Sequence, residues 1–379
     1  MKKVAVFGSS GSVGSSTLDI LRNNRDKFEL CAIAGGSNIQ KLAEQAIEFQ
    51  VKNVAVASDN KYKELKALLP NHNIVVGDDG LVLLAQEKYD VAIMAISGSD
   101  AIKPLDALLG NAKIIGLANK ESIVCTGSML VDKAKALGSK IIPVDSEHSA
   151  IFQLFDVLNA DLVNRVILTA SGGPFYDKPI EFINTATFEQ VLAHPTWKMG
   201  AKISVDSATM MNKGLELIEA KNLFNLKAEQ LDVLIHPQSI VHSFVEYADG
   251  ALLAQLGYPD MKMPISYALN HPKRIKIDYR KMTANDLTNM MFLAPEFEKF
   301  PLLGLAKNVL KDSMESCIVL NTLNELVVGE FLEKKIGFVQ IANKILKFMD
   351  KINIEKVASL VDVLSCVKDI KIKFNELSK

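Results

Sequence analysis

Two acidic side chains one residue apart, Asp145 and Glu147 in Asp145-Ser146-Glu147-His148, stand out in this 379-residue chain as groups that could do chemistry together. They follow the mostly apolar stretch Lys140 to Val144. If that strand runs on through Glu147, its period of two turns both carboxylates to one side, at the carboxyl end of a strand, where open α/β sheets bind ligands. Side by side they repel unless a cation sits between them, and oxygen-only ligands select Mg²⁺ or Mn²⁺ over zinc. A solvated acidic turn accounts for the same residues.

Ser204 to Glu219, reading SVDSATMMNKGLELIE, is the densest stretch of polar chemistry. Asp206, Ser207, Thr209, Asn212 and Lys213 lead into a helix expected to begin near Asn212, and hydroxyls, an amide, an ammonium and a helix start suit a phosphate. Glu216 lies three residues after Lys213, so it shares that residue's face and could give a metal a third oxygen. An N-capped helix with a surface ion pair explains the pattern too. Ser171-Gly172-Gly173-Pro174 is a second anion candidate, since flexible residues after a strand can aim backbone N–H groups at one point; it also reads as a plain loop. Between them, His194-Pro195-Thr196-Trp197-Lys198-Met199-Gly200 holds the only tryptophan. Its Pro and Gly flanks suggest a loop carrying an apolar paddle, as lids do, although a lone tryptophan also serves as core packing.

The amino-terminal end offers different chemistry. Gly8-Ser9-Ser10-Gly11-Ser12-Val13-Gly14 follows a short apolar strand and precedes a helical pattern. Its glycines allow a dinucleotide pyrophosphate close to the backbone at a helix N-terminus; a tight turn over small residues is the alternative. At the end of the second strand an acid would hold the ribose 2′-hydroxyl of NAD and repel a 2′-phosphate. Ala34-Gly35-Gly36-Ser37-Asn38 has no acid, which predicts NADP rather than NAD.

These groups need a scaffold, and the pattern of the chain supplies one. Lys3 to Phe7, Phe28 to Ala34, Asn53 to Ala57, Asp90 to Ile96, Lys113 to Leu117 and Lys140 to Val144 read as strands, interleaved with helical patterns such as Ser16 to Arg22 and Ile39 to Phe49. That alternation implies an α/β chain opening with a Rossmann-like, doubly wound parallel sheet, over residues 1–145. A central α/β catalytic domain is expected over 146–270, with strands at Arg165 to Thr169, Val233 to Ile235 and Ala251 to Gln255, helices at Ser149 to Leu158 and Lys213 to Lys221, and a lid near 186–200. A linker over 271–296 and a C-terminal helical bundle over 297–379 follow, from the amphipathic patterns Leu302 to Leu310, Cys317 to Glu333 and Phe338 to Lys347.

Apolar residues at 49% and charged residues at 23% exclude disorder. Lys plus Arg total 43 against 44 for Asp plus Glu, so no global field draws the chain to nucleic acid or an anionic membrane. The apolar runs are too short to span a bilayer and the first residues lead straight into a strand, so a cytoplasmic location is expected. Cys31, Cys125, Cys317 and Cys366 are too scattered for a zinc cluster and read as small buried hydrophobes.

The segments GSSGSVG (8–14), GLANKES (116–122), PVDSEHSAIFQ (143–153), TASGGPF (169–175), HPTWKMGAKISVDSATMMNKGLE (194–216) and HPQSIVHS (236–243) resemble, in order, the 1-deoxy-D-xylulose 5-phosphate reductoisomerases. The resemblance implies that Asp145, Glu147 and Glu216 hold one Mg²⁺ or Mn²⁺, and that Ser171, His194, Ser207, Asn212 and Lys213 grip a sugar-phosphate substrate. It places Lys120 and Ser146 at the reacting end of that substrate and Trp197 on a mobile lid over it. Ser10, Gly11, Ser12, Val13, Gly36, Ser37, Asn38, Asn119, Glu121 and Gly200 would line an NADPH site, and the assembly would be a homodimer. Ser37 departs from the basic residue the family often carries there, and Asn321 to Glu325 reads NTLNE where the family tends to NAANE. The reaction implied is isomerisation of a ketose phosphate to a branched aldehyde, followed by reduction with NADPH, the cation acting as Lewis acid in both halves. Two other readings make different predictions. A metal-independent NAD(P) dehydrogenase survives EDTA, and a nucleotide-sensing regulator binds NADPH without consuming it.

Overall fold

The computed structural model describes residues 1–197 and 199–378; Lys198, part of the expected lid, lies outside the described residues. The chain divides into two compact units. The first comprises Met1–Ser122, Leu130–Ser149 and Asp260–Tyr279; the second takes in Ile123–Met129, Ala150–Pro259 and the chain from Arg280 on.

The first unit is built on strands β1 (Lys2–Phe7), β2 (Phe28–Gly35), β3 (Asn53–Val56), β4 (Asn73–Val76), β5 (Tyr89–Met94), β6 (Ala112–Leu117) and β7 (Lys140–Pro143). They pair in the order β4-β3-β2-β1-β5-β6-β7, every neighbour parallel. Continuous apolar runs dictate this, because a strand covered by helices on both faces cannot alternate with polar residues. Val4 to Phe7 and Val91 to Met94 are fully buried, each large apolar side chain contributing about 1.5–3 kcal/mol. The order reverses between β1 and β5, the switch point at which such sheets bind ligands.

β4 went unread in the sequence because four residues, Asn73-Ile74-Val75-Val76, carry too little pattern. Residues 262–270, expected in the central section, form the helix Lys262–Asn270 and belong to the first unit. Gly116 of β6 makes room for it, a Cβ there standing 3.3 Å from that of Ala268. β7 does not run on through Glu147. Its ladder with β6 stops at Pro143, and a helix begins at Ser146, the Ser149 N–H donating to the Asp145 carbonyl at 2.8 Å. Asp145 and Glu147 therefore flank a helix start, where Asp and Ser are favoured, rather than alternating along a strand. The same helix ends at Leu154, short of the expected Leu158, and Val157 and Leu158 are exposed.

In the second unit β8 (Val163–Ala170), β9 (Leu231–Ile235), β10 (Val241–Tyr247) and β11 (Leu252–Leu256) form a sheet ordered β11-β10-β8-β9. β8 and β9 are parallel, and β10 is antiparallel to both β8 and β11. Helices Ala201–Ala208, Met211–Phe224, Pro301–Val309, Met314–Leu332, Phe338–Met349 and Leu360–Leu377 accompany it. The helical tail shares this unit rather than standing alone. A Cβ on Gly214 would lie 2.4 Å from that of Ala306, so Met211–Phe224 and Pro301–Val309 touch through a glycine.

Cys125 and Cys317 are buried as expected, but Cys31 and Cys366 are only half-buried, on strand and helix positions near the solvent side. Among the described residues no helix is long and apolar enough to cross a membrane.

Candidate active site

At the end of β1 the backbone turns sharply. Gly8 has φ +89°, and a Cβ there would stand 2.4 Å from the Ala95 carbonyl oxygen just past β5, so no other residue fits without displacing that strand end. Gly8 and Ser9 both donate to the Ala34 carbonyl of β2, at 2.9 and 2.8 Å. The helix Ser12–Arg22 starts four residues earlier than its apolar pattern suggests, with Gly11 as an N-cap that has no side chain to satisfy the first turn. The N–H groups there have no intrahelical acceptor, and a Cβ on Gly14 would overlap the Gly8 carbonyl at 2.2 Å. A bare, positively polarised helix start beneath a glycine turn at the switch point fits a dinucleotide pyrophosphate.

Gly36, Ser37 and Asn38 are exposed beyond β2. The Asn38 side-chain oxygen accepts from the Lys41 N–H at 3.1 Å, capping the helix Ile39–Phe49. Asn119, beyond β6, is buried. Its amide nitrogen donates to the Ile96 and Gly98 carbonyls and to Glu121, and its oxygen accepts from the Ser122 N–H at 2.8 Å. It ties the loop after β5 to the start of the helix Lys120–Thr126, and so fixes where Lys120 begins.

Lys120 Nζ then lies 2.5 Å from Asp145, both side chains largely buried. The Ser146 hydroxyl donates to Glu147 at 2.5 Å. In the second unit, Lys213 pairs with Glu216 one turn on, at 3% and 1% exposure, and Asn212 donates to the same carboxylate at 2.5 Å. This is a buried pair, not the surface pair that the sequence also allowed. Carboxylates in both units are thus matched by an ammonium, as buried charges must be. Within the first unit, Asp145 and Glu147 offer carboxylate oxygens of the kind a hard divalent cation takes.

Among the anion candidates of the second unit, Ser171 and His194 meet. His194 Nε2 and Ser171 Oγ are 2.9 Å apart. His194 Nδ1 accepts the N–H groups of Thr196 (3.2 Å) and Trp197 (2.9 Å), which assigns the ring proton to Nε2 and makes the ring a donor to Ser171. Burial pushes the His194 pKa down to about 4, so the ring is neutral near pH 7. Gly173, at φ +66°, lies so close to the Ser207 carbonyl that a Cβ would meet it at 2.6 Å, bringing the Ser171 loop onto the helix Ala201–Ala208. Ser207 lies inside that helix, not in a loop leading to the next one. Trp197 is half-buried, with its ring centroid 6.5 Å from that of His242. Gly200 is the exposed N-cap of Ala201–Ala208.

Two supporting residues escaped the sequence. Asn324, on the helix Met314–Leu332, donates to the buried Asp206 carboxylate at 2.8 Å, across 118 positions of chain. Lys41 donates to the Ser10 carbonyl at 2.9 Å and to the Ser15 hydroxyl at 2.7 Å. Its signal was present: it is the first charged residue after β2.

Residues 4–127 match the family model for 1-deoxy-D-xylulose 5-phosphate reductoisomerase, and residues 141–224 and 256–373 match two models of the C-terminal domains of that enzyme. The 1-deoxy-D-xylulose 5-phosphate reductoisomerase of Zymomonas mobilis is 42% identical over 374 residues, covering 98% of this chain and 96% of its own. That of Chlorobium phaeovibrioides is 45% identical, covering 92% of each. A crystal structure of the reductoisomerase in complex with NADPH, fosmidomycin and magnesium has a TM-score of 0.95 at 39% identity, over 99% of this chain and 98% of that one. The Zymomonas mobilis enzyme in complex with NADPH gives 0.91 at 40%, with the same coverage. The chain belongs to the 1-deoxy-D-xylulose 5-phosphate reductoisomerase family.

Proposed function

We propose that Asp145, Glu147 and Glu216 hold the divalent cation of this reductoisomerase, Mg²⁺ or Mn²⁺, while Ser171, His194, Trp197, Ser207, Asn212 and Lys213 take its sugar-phosphate substrate. As a member of its family the chain converts 1-deoxy-D-xylulose 5-phosphate to 2-C-methyl-D-erythritol 4-phosphate, a step of non-mevalonate isoprenoid precursor synthesis, with NADPH and a divalent metal. NADPH lies along Ser10 to Val13, Gly36 to Asn38, Asn119, Glu121 and Gly200. The reading is supported by the burial of four ionisable side chains, Lys120 with Asp145 and Lys213 with Glu216, an arrangement that stability alone does not favour.

When bound, the cation supplies Lewis acidity and NADPH supplies hydride. The rest falls to the side chains. The His194 ring donates to the Ser171 oxygen, so the serine hydroxyl keeps its own proton to offer to a substrate phosphate. Lys213 and Asn212 add charge and a second donor. That grip is remote from the reacting carbons, so its binding energy can orient the substrate and close the loop around Trp197. Lys120 and Ser146 offer donors to substrate oxygens that gain charge during rearrangement.

The deciding experiment follows loss of NADPH absorbance with 1-deoxy-D-xylulose 5-phosphate, with and without EDTA, and with Mn²⁺ restored. Consumption that stops with EDTA and returns with Mn²⁺ is expected. Consumption indifferent to EDTA makes the chain a plain dehydrogenase, and NADPH binding without consumption makes it a sensor. Our reading is of a cytoplasmic homodimer, and light scattering of the purified chain tests the dimer.

A further inference from the structure

The end of β2 is where a Rossmann sheet tells NADP from NAD, and here Gly35-Gly36-Ser37-Asn38 carries no charge of either sign. Lys41, in the first turn of the helix Ile39–Phe49, is the first ammonium to follow. It reaches back to the glycine turn, its Nζ on the Ser10 carbonyl at 2.9 Å and the Ser15 hydroxyl at 2.7 Å. Both partners are neutral, and among the described residues no carboxylate stands within ion-pairing distance of it. An ammonium has three donors, and these contacts use two. Nor is Lys41 needed to fasten the helix to the turn. Gln45 of the same helix does so from a buried position, accepting from the Ser9 hydroxyl at 2.8 Å and donating to the Ser9 carbonyl at 3.0 Å. Around Lys41 the approach is open: Gly36, Ser37 and Asn38 are exposed, and a Cβ on Gly36 would meet nothing within 4 Å.

We infer that Lys41 is the specificity-determining charge for the cofactor: its ammonium takes the ribose 2′-phosphate at the end of β2, where an NAD site sets an acid. The inference rests on reading the glycine turn as the NADPH site. Binding of NADPH and of NADH to the full chain, measured by calorimetry without substrate, tests both levels separately. Lys41→Gln is expected to weaken NADPH at least about tenfold, the scale of one hydrogen bond to a charged group, while NADH stays within about twofold. Lys41→Arg, which keeps the charge, is expected to retain most NADPH affinity. Equal losses for the two cofactors in Lys41→Gln would make Lys41 a structural tether and overturn the inference, as would unchanged NADPH affinity. A wild-type chain that binds neither cofactor removes the NADPH reading itself, and this inference with it.

Discussion

The glycine turn of the first unit, proposed for the cofactor, and the residues of the second, proposed for the substrate phosphate, are made of different materials. Gly8 to Gly14 is seven consecutive residues whose contribution is backbone: a positive φ, two glycines with no space for a Cβ, and a helix start without a side-chain cap. Ser171, His194, Ser207 and Lys213 would act through side chains, drawn from separate loops and helices and held by contacts such as Gly173 against Ser207. A backbone site depends on which side chains are missing, and is damaged by adding atoms. A side-chain site depends on partners, and is damaged by taking them away.

The sharpest way to test that contrast is Lys213→Ala. It leaves Glu216 buried at 1% exposure without its ammonium, and breaking a buried pair from one side costs about 3–5 kcal/mol. Urea unfolding should show that loss, and kcat/KM should fall with it while NADPH affinity stays near wild type. A stability change within about 1 kcal/mol would mean the pair behaves as an exposed one, and the contrast between the units would weaken.

Gly8→Ala attacks from the other side by adding one carbon. The left-handed backbone costs an L residue about 1–2 kcal/mol, and overlap with the Ala95 carbonyl adds about 1–3 kcal/mol of overpacking. NADPH affinity should drop, with binding of inorganic phosphate by the second unit unchanged. Equal damage to both sites would show that the turn supports the whole molecule, not the cofactor alone.

Asn324→Ala is expected to do less, about 1.5–3 kcal/mol for a lost hydrogen bond to a charged group. Asn324 does not belong to the substrate grip. It anchors Asp206, on the helix that carries Ser207, so the expected signature in kinetics is a raised KM with kcat less affected. Unchanged KM would confine Asn324 to stability.

The same contrast decides what could be read from the sequence. The parallel sheet was legible because its strands are continuous apolar runs, and the glycine turn because backbone requirements leave residue types behind. Asp145, Glu147 and Glu216 were legible as types, but the strand argument that aligned the first two failed: a helix start claims Ser146 once β7 loses its neighbour at Pro143. The Asn324–Asp206 contact left no trace, since 118 residues of chain separate two polar side chains that are unremarkable alone. The placement of Lys262–Asn270 was hidden for the same reason, its partner Gly116 being a residue without a side chain.

Near neutral pH the smallest effect comes from His194, where each material contributes. Its ring donates to a side chain, Ser171, and its Nδ1 accepts two backbone N–H groups, from Thr196 and Trp197. Burial holds its pKa at about 4, against 6.5 for an ordinary histidine. As pH falls from 6.5 towards 4, the unfolded chain takes up a proton that the folded one does not, so the neutral ring's contribution to stability is full above about 6.5 and is lost as the pH nears 4. Protonation would also place a hydrogen on the nitrogen that receives the Trp197 N–H, detaching the loop on that side. An NMR titration of the wild-type chain should find one imidazole changing state near pH 4, absent in His194→Gln, whose stability should fall less between pH 6.5 and 4. A His194 signal titrating at the ordinary value would mean that the ring is solvated, and that the backbone N–H groups of the Trp197 loop do not hold it.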